Sequence, residues 1–206
     1  MKLSREIYEF GAHAGSFEGY VYGYTKVDPG YLPQWAANLL KEYHSLPGDV
    51  IAEIQPGLDG TLGRAVRTLG LHLGEDHQII VLLKEMIRGK LPDSPDDFEW
   101  MKQLQPGSCR ELYEFAASAG AFEGYVYMLE RADRTQLADW SENLANKWRA
   151  LSAEVRAAIE LSTNLTLGRA LHSLKAFLNE NDPVIFNLKI IVRGRLPASA
   201  DDFIKH

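Results

Sequence analysis

Cysteine is almost missing from this chain. Its one thiol, Cys109, can close neither an internal disulfide nor a cysteine-based metal cage. Long hydrophobic runs are missing too: no stretch approaches the ~20 apolar residues that cross a bilayer. The segment Met1-Lys2-Leu3-Ser4-Arg5-Glu6 turns charged too early for a secretory signal. Together these point to a cytoplasmic protein with no membrane partner. Basic charge is in short supply, with 22 Lys and Arg against 28 Asp and Glu, a net charge of -6 and a pI near 5.5. Nucleic acid is thereby disfavoured as a partner, because phosphate binding is driven by clustered cations that release counterions. Nucleophile elbows and dinucleotide fingerprints do not occur. Gly57-Leu58-Asp59-Gly60 reads as a loop and lacks the Gly-Lys-Ser that cradles phosphate.

What the chain does have is an internal repeat. Arg5-Glu6-Ile7-Tyr8-Glu9-Phe10 returns as Arg110-Glu111-Leu112-Tyr113-Glu114-Phe115, and Phe17-Glu18-Gly19-Tyr20-Val21-Tyr22 returns unchanged from Phe122 to Tyr127. Thr61-Leu62-Gly63-Arg64-Ala65 matches Thr166 to Ala170, and Arg88-Gly89-Lys90-Leu91-Pro92 matches Arg193 to Pro197. The offset is 105 residues throughout, so no gap is needed. The reading is a tandem duplication of a unit of about a hundred residues: unit one over 1–103, a linker over 104–109 with the turn pair Pro106-Gly107, and unit two over 110–206.

Each unit reads as all-α with about five helices. Helix one carries Ile7, Phe10, Ala14, Phe17, Val21 and Tyr24 at steps of three and four, repeated as Leu112, Phe115, Ala119, Phe122, Val126 and Leu129, which is one buried stripe. Ser108 and Glu111 suit a capping box. Helix two centres on Leu32, Trp35 and Leu39, with Leu137, Trp140 and Leu144 as counterparts. A short helix three runs from about Asp49 to Ile54 and, behind Ser152, from Val155 to Ile159. Helix four then opens on Thr61 and Thr166 as N-caps. Helix five has Asp182 as cap and Pro183 at its first position, with Gly89 and Gly194 closing its two copies. A final short helix begins at Ser94 and at Ser199. Two arrangements remain open, a pseudo-twofold pair and a tandem translation. If the ancestor was a homodimer, the glycine and aromatic face of helix one is the contact that fusion would preserve.

The duplication also tests for chemistry, because groups doing the same work in both units should recur. Histidine does not: His13, His44, His72, His77, His172 and His206 face Ser118, Arg149, Phe177, Asp182, Arg67 and Met101. No pair has the helical spacing of a metal site, so no metal or other cofactor is expected. Cys109 faces Ser4; as a residue at a helix N-terminus it invites the question of a lowered thiol pKa, and an incidental cap residue is the preferred reading.

Three recurring sets stand out. Gly15 and Gly19, with Gly120 and Gly124, each cost a helix about 1 kcal/mol relative to alanine, so something must offset them. They mark a close helix crossing or, with Tyr20, Tyr22, Tyr125 and Tyr127 beside them, a groove for a flat ligand or partner helix. Glu18 and Glu123 lie against the apolar stripe and call for partners, for which Arg64 and Arg169 are the recurring cations. Lys84, Arg88 and Lys90, with Lys189, Arg193 and Arg195, sit where a helix C-terminus accounts for cations and where an anion or acidic partner could dock.

The leading functional expectation is a non-catalytic interaction or regulatory module that presents helical surfaces to an unidentified protein, with homo-oligomerisation an option. A small-molecule binder using the helix-one groove is the second. An enzyme using the Glu18–Arg64 or Glu123–Arg169 pair is the third and least favoured. Residues 1–103 hold 10 basic and 15 acidic side chains, and 104–206 hold 12 and 13, so the negative balance belongs mainly to the first unit, where a partner could discriminate.

Overall fold

The computed structural model describes residues 2–24, 28–96, 106–128 and 136–194, and every regular element among them is helical. In the first half, α1 (Lys2–Tyr22) leads through a single 3₁₀ turn at Pro29–Tyr31 into α2 (Leu32–Ser45), α3 (Gly48–Gly70) and α4 (Gln78–Met86). In the second, α5 (Cys109–Tyr127), α6 (Leu137–Ala150), α7 (Ala153–Leu174) and α8 (Pro183–Ile191) follow in the same order. No helix among the described residues is long and apolar enough to cross a membrane.

The centre is made by α1 and α5, which lie parallel and nearly touch through their backbones. A Cβ on Gly15 would overlap the Ala117 carbonyl oxygen and lie 2.8 Å from Ala121 N; one on Gly120 would overlap the Ala12 carbonyl oxygen and lie 2.7 Å from Ser16 N. Gly19 meets Ala121 and Tyr125 in the same way, and Gly124 meets Ser16 and Tyr20. The contact is reciprocal, which is the signature of a twofold relation and not of a translation. The long helices complete the central layer: α3 and α7 each pack on both α1 and α5. The pairs α2–α4 and α6–α8 lie outside. One continuous apolar core results, reaching from Ile7 through Leu58 and Tyr113 to Ile191.

Each half thus has four helices where about five were expected, because expected helices three and four are one. Gly57 to Gly60, read as a loop, lies inside α3 just after Pro56. An internal proline costs a helix about 3 kcal/mol, and here Ile54, Leu58 and Leu62, all fully buried, hold the helix through it. Gly57 serves clearance: a Cβ there would lie 2.8 Å from Glu114 Oε1 and 2.9 Å from the Tyr113 ring. Thr61 and Thr166 are accordingly not N-caps. They sit mid-helix and donate back to the carbonyls of Gly57 and Ser162, each at 3.1 Å.

Gly89 and Gly194 do not close α4 and α8, which end at Met86 and Ile191. The only glycine with positive φ among the described residues is Gly107, at 78°. Instead, Asp59 Oδ1 accepts the Arg88 N–H at 2.9 Å and Asn164 Oδ1 accepts the Arg193 N–H at 3.0 Å. Each glycine leaves room for that side chain. At the start of α5, Ser108 Oγ accepts from Glu111 N at 3.0 Å, while the Glu111 carboxylate accepts from Gly107 N at 2.6 Å, one residue earlier than a capping box requires. Asp182 caps α8 through Val184 N at 2.9 Å, and His77 takes the same place on α4 through Ile79 N at 3.3 Å. After α4, Ser94 Oγ accepts from Asp96 N at 3.2 Å; the rest of the expected terminal helix lies outside the described residues in both halves.

The glycine contact makes a direct prediction. Gly15→Ala or Gly120→Ala gains helix propensity yet must displace a neighbouring backbone, so either should destabilise by about 3 kcal/mol or more. Gly70→Ala, which meets nothing within 4 Å, should stabilise by a few tenths to about 1 kcal/mol. Urea unfolding midpoints of the three variants check both signs.

Candidate functional site: a cleft beside the central helix pair

Next to the α1–α5 contact a cleft of about 220 Å³ opens between α1, α5 and α6. Its walls are Phe122 and Tyr125 of α5, Trp140 and Leu144 of α6, and Gly19 and Tyr22 of α1. Tyr125 and Trp140 meet edge to face at 5.0 Å, and Tyr22 and Tyr125 lie 6.1 Å apart. These rings are held by the helix periodicity that buries Phe122 and Tyr125. The polar atoms at the cleft come from Glu18, Ser118, Asn143 and Asp96. Asp96 accepts from the Tyr22 hydroxyl at 2.9 Å and so ties the segment after α4 to the rim.

Glu18 is buried in this wall and held by Arg64: Nε donates to Oε1 at 2.5 Å and Nη2 to Oε2 at 3.1 Å. Burial raises its pKa above the usual carboxylate range, with the Arg64 charge and hydrogen bonds opposing. In the other half Arg169 forks onto Glu123 in the same manner, and Ser16 Oγ adds a donor to Glu123 at 3.3 Å. Both pairs tie a central helix to the long helix of its own half. Buried Tyr8 and Tyr113 pack across the centre, with ring centroids 6.1 Å from Phe115 and from Phe10 of the other half, and their hydroxyls have no hydrogen-bond partner among the described residues.

His13, Ser16, Trp35, Asn38 and Leu39, each 105 residues before a cleft residue, line a counterpart together with Glu42 and Arg169, with only about 20 Å³ of space. The difference lies at three positions, His13, Ser16 and Glu42 against Ser118, Ala121 and Lys147. His13 Nδ1 lies 2.9 Å from both oxygens of Glu42, and this pair plugs the space. Burial would depress the His13 imidazole, but the Glu42 carboxylate prevails and holds it above the usual histidine range. In the open cleft the same two places hold Ser118 and Lys147, with Lys147 Nζ donating to Ser118 Oγ at 2.6 Å and Ser118 donating to the Glu114 carbonyl at 2.7 Å. Behind them the Glu114 side chain is 1% exposed. Desolvation lifts its pKa to about 7 against the pull of Lys147 and Arg110. The same burial lowers the Lys147 pKa.

Of the residues singled out from sequence, Gly19, Tyr22, Tyr125 and Glu18 gather at the open cleft. Gly15, Gly120 and Gly124 are filled by the facing backbone, so they form no groove. Tyr20 is buried, donates to the Asp28 carbonyl at 2.9 Å and lies 6.3 Å from Tyr127. Among the recurring cations, Lys84 lies 3.9 Å from Glu75, Lys90 3.0 Å from Asp93 and Lys189 3.7 Å from Glu180. Arg88 stands 5.9 Å over the Tyr43 ring, Arg193 follows α8, and Arg195 lies outside the described residues. The Cys109 thiol is pushed up by burial and by Glu53, the opposite of activation. No group of three or more His, Cys, Asp or Glu side chains suited to a metal occurs among the described residues.

Ser118, Lys147, Glu114, Trp140 and Asn143 went unread as site residues. Ser118 and Lys147 stand 105 residues after His13 and Glu42, and nothing local in the sequence marks that difference among the many others between the two halves. No protein-family model, curated protein or solved structure matches the chain.

Glu114 sets a pH signature. Below the ordinary carboxylate pKa the folded and unfolded chains both carry its proton; between there and about 7 only the folded chain does, so stability falls as pH rises through that window and stays lower above it. Glu114→Gln should remove this fall, gaining on the order of 3 kcal/mol relative to wild type between pH 4.5 and pH 8. Urea unfolding of both proteins at the two pH values measures the difference.

Proposed function

We propose that the chain is a tandem duplication, with units at 1–103 and 110–206 joined by 104–109, and that it binds a small organic molecule in the open cleft without transforming it. The observation that carries this reading is the contrast between the two pseudo-equivalent places. One is an aromatic-walled space of about 220 Å³, and the other is plugged by His13 and Glu42. The open cleft keeps its aromatic side chains around a concave space beside the core, where protein atoms take up the equivalent place in the other half. Aromatic walls with a few polar groups are the ordinary makeup of a ligand site.

Binding without chemistry is supported by how the wall groups are engaged. Both oxygens of Glu18 are held by Arg64, and the Ser118 hydroxyl lies between the Glu114 carbonyl and Lys147. Neither is poised to move a proton to or from a guest. A protein-presenting surface remains a second reading because Leu161 and Leu165, one turn apart on α7, are 75% and 54% exposed. A cytoplasmic setting is part of the proposal, supported by the single cysteine.

Three phenyl probes of similar size and different charge, benzyl alcohol, benzylammonium and benzoate, test the reading by titration against the indole N–H signals of ¹⁵N-labelled protein. At least one should bind at one equivalent and move Trp140 but not Trp35. Asn143→Trp, a change at an exposed cleft residue, should block it. Silence from all three would sink the proposal. The triple variant His13→Ser, Ser16→Ala, Glu42→Lys copies the open cleft into the first half and should raise the stoichiometry from one to two.

A further inference from the structure

The cleft has a sign. Two carboxylates, Glu18 and Asp96, line it alongside Ser118 and Asn143, and among the described residues no lysine or arginine does; Glu18 is taken up by Arg64, so the charge offered to a guest is that of Asp96. The cations behind its walls are engaged with protein groups: Arg64 grips Glu18, while Lys147 donates to Ser118 and faces Glu114. Tyr22, Phe122, Tyr125 and Trp140 contribute to the apolar wall. The face of each such ring is the negative end of a quadrupole. An aromatic wall with a carboxylate at its rim suits a weakly hydrated organic cation, which gains wherever it meets a ring face and sheds its water cheaply. An inorganic cation would lose its hydration shell against rings that cannot replace it, and an anion would meet like charge.

Resting on the binding function proposed above, we infer that the ligand class is a small free organic ammonium, seated against the Tyr22–Tyr125–Trp140 wall with the Asp96 carboxylate at the rim as its counter-charge. The counterpart space gives independent support. There the protein's own His13 imidazole, protonatable and lying against Glu42, fills the volume. A cationic ring paired to a carboxylate, beside Trp35 as the guest would lie beside Trp140, is the intramolecular version of the proposed complex.

The test compares choline with 3,3-dimethylbutan-1-ol, which replaces its quaternary nitrogen by carbon and keeps its shape. Calorimetry and indole N–H shifts on the full chain should give choline at least about fivefold tighter binding. Asp96→Asn, an exposed change that does not threaten the fold, should weaken choline about threefold at low ionic strength and leave the alcohol unchanged. Trp140→Leu should abolish the preference for the cation. Vesicles of phosphatidylcholine, which display the same head group, should leave the protein in the supernatant. Equal or tighter binding of the neutral isostere overturns the cation inference while the binding function stands. Binding of a benzyl probe with neither choline nor its isostere detected overturns it too, and co-sedimentation with vesicles overturns the free ligand.

Discussion

Everything in this protein is arranged around a backbone-to-backbone contact between two parallel helices. Gly15 and Gly19 of α1 and Gly120 and Gly124 of α5 give up helix propensity so that each helix can lie in the groove of the other. What offsets the loss is the core that the contact brings together: with α1 and α5 nearly touching, α3 and α7 can each pack on both. Tyr8 and Tyr113 then pack across against Phe115 and Phe10 of the opposite half. Wider spacing of the central pair would leave these tyrosines over voids.

Such closeness has an electrostatic consequence. Side chains flanking the crossing are taken out of water, and Glu18 and Glu123 are among them. A buried carboxylate is tolerated only with a partner of good geometry, and the forked guanidinium of Arg64 or Arg169, one long helix away, supplies it. Glu114 has no comparable fork. Its nearest Arg110 contact is 3.6 Å, and desolvation prevails, leaving it poised near neutrality. Two carboxylates on one helix thus behave differently because of what stands opposite them.

The twofold relation holds for the frame and fails at the cleft. Trp35 and Trp140, Asn38 and Asn143, and Leu39 and Leu144 occupy equivalent places in two spaces of very different size. An imidazole against a carboxylate fills one; in the other a serine leaves room, and the lysine beside it turns to that serine. Three substitutions in a shared frame accompany the difference in size, because an imidazole lying against a carboxylate takes up space that a serine and an alanine leave open.

The sequence by itself determined the helices, the offset that pairs them, and the residues that must find partners. These are local or periodic properties: a buried stripe at steps of three and four, an Asp-Pro start at α8, a glycine whose cost demands a reason. It misjudged Pro56 to Gly60 because proline and glycine are read as breakers, while burial of Ile54, Leu58 and Leu62 outweighs them. The second half, where Leu161 to Leu165 hold neither residue, already pointed the other way. Only the tertiary structure decided that the halves meet by a twofold, that the glycines are filled by backbone, and that one of two equivalent spaces stays open. Those outcomes depend on distances between residues far apart in the chain, and periodicity carries no information about such distances.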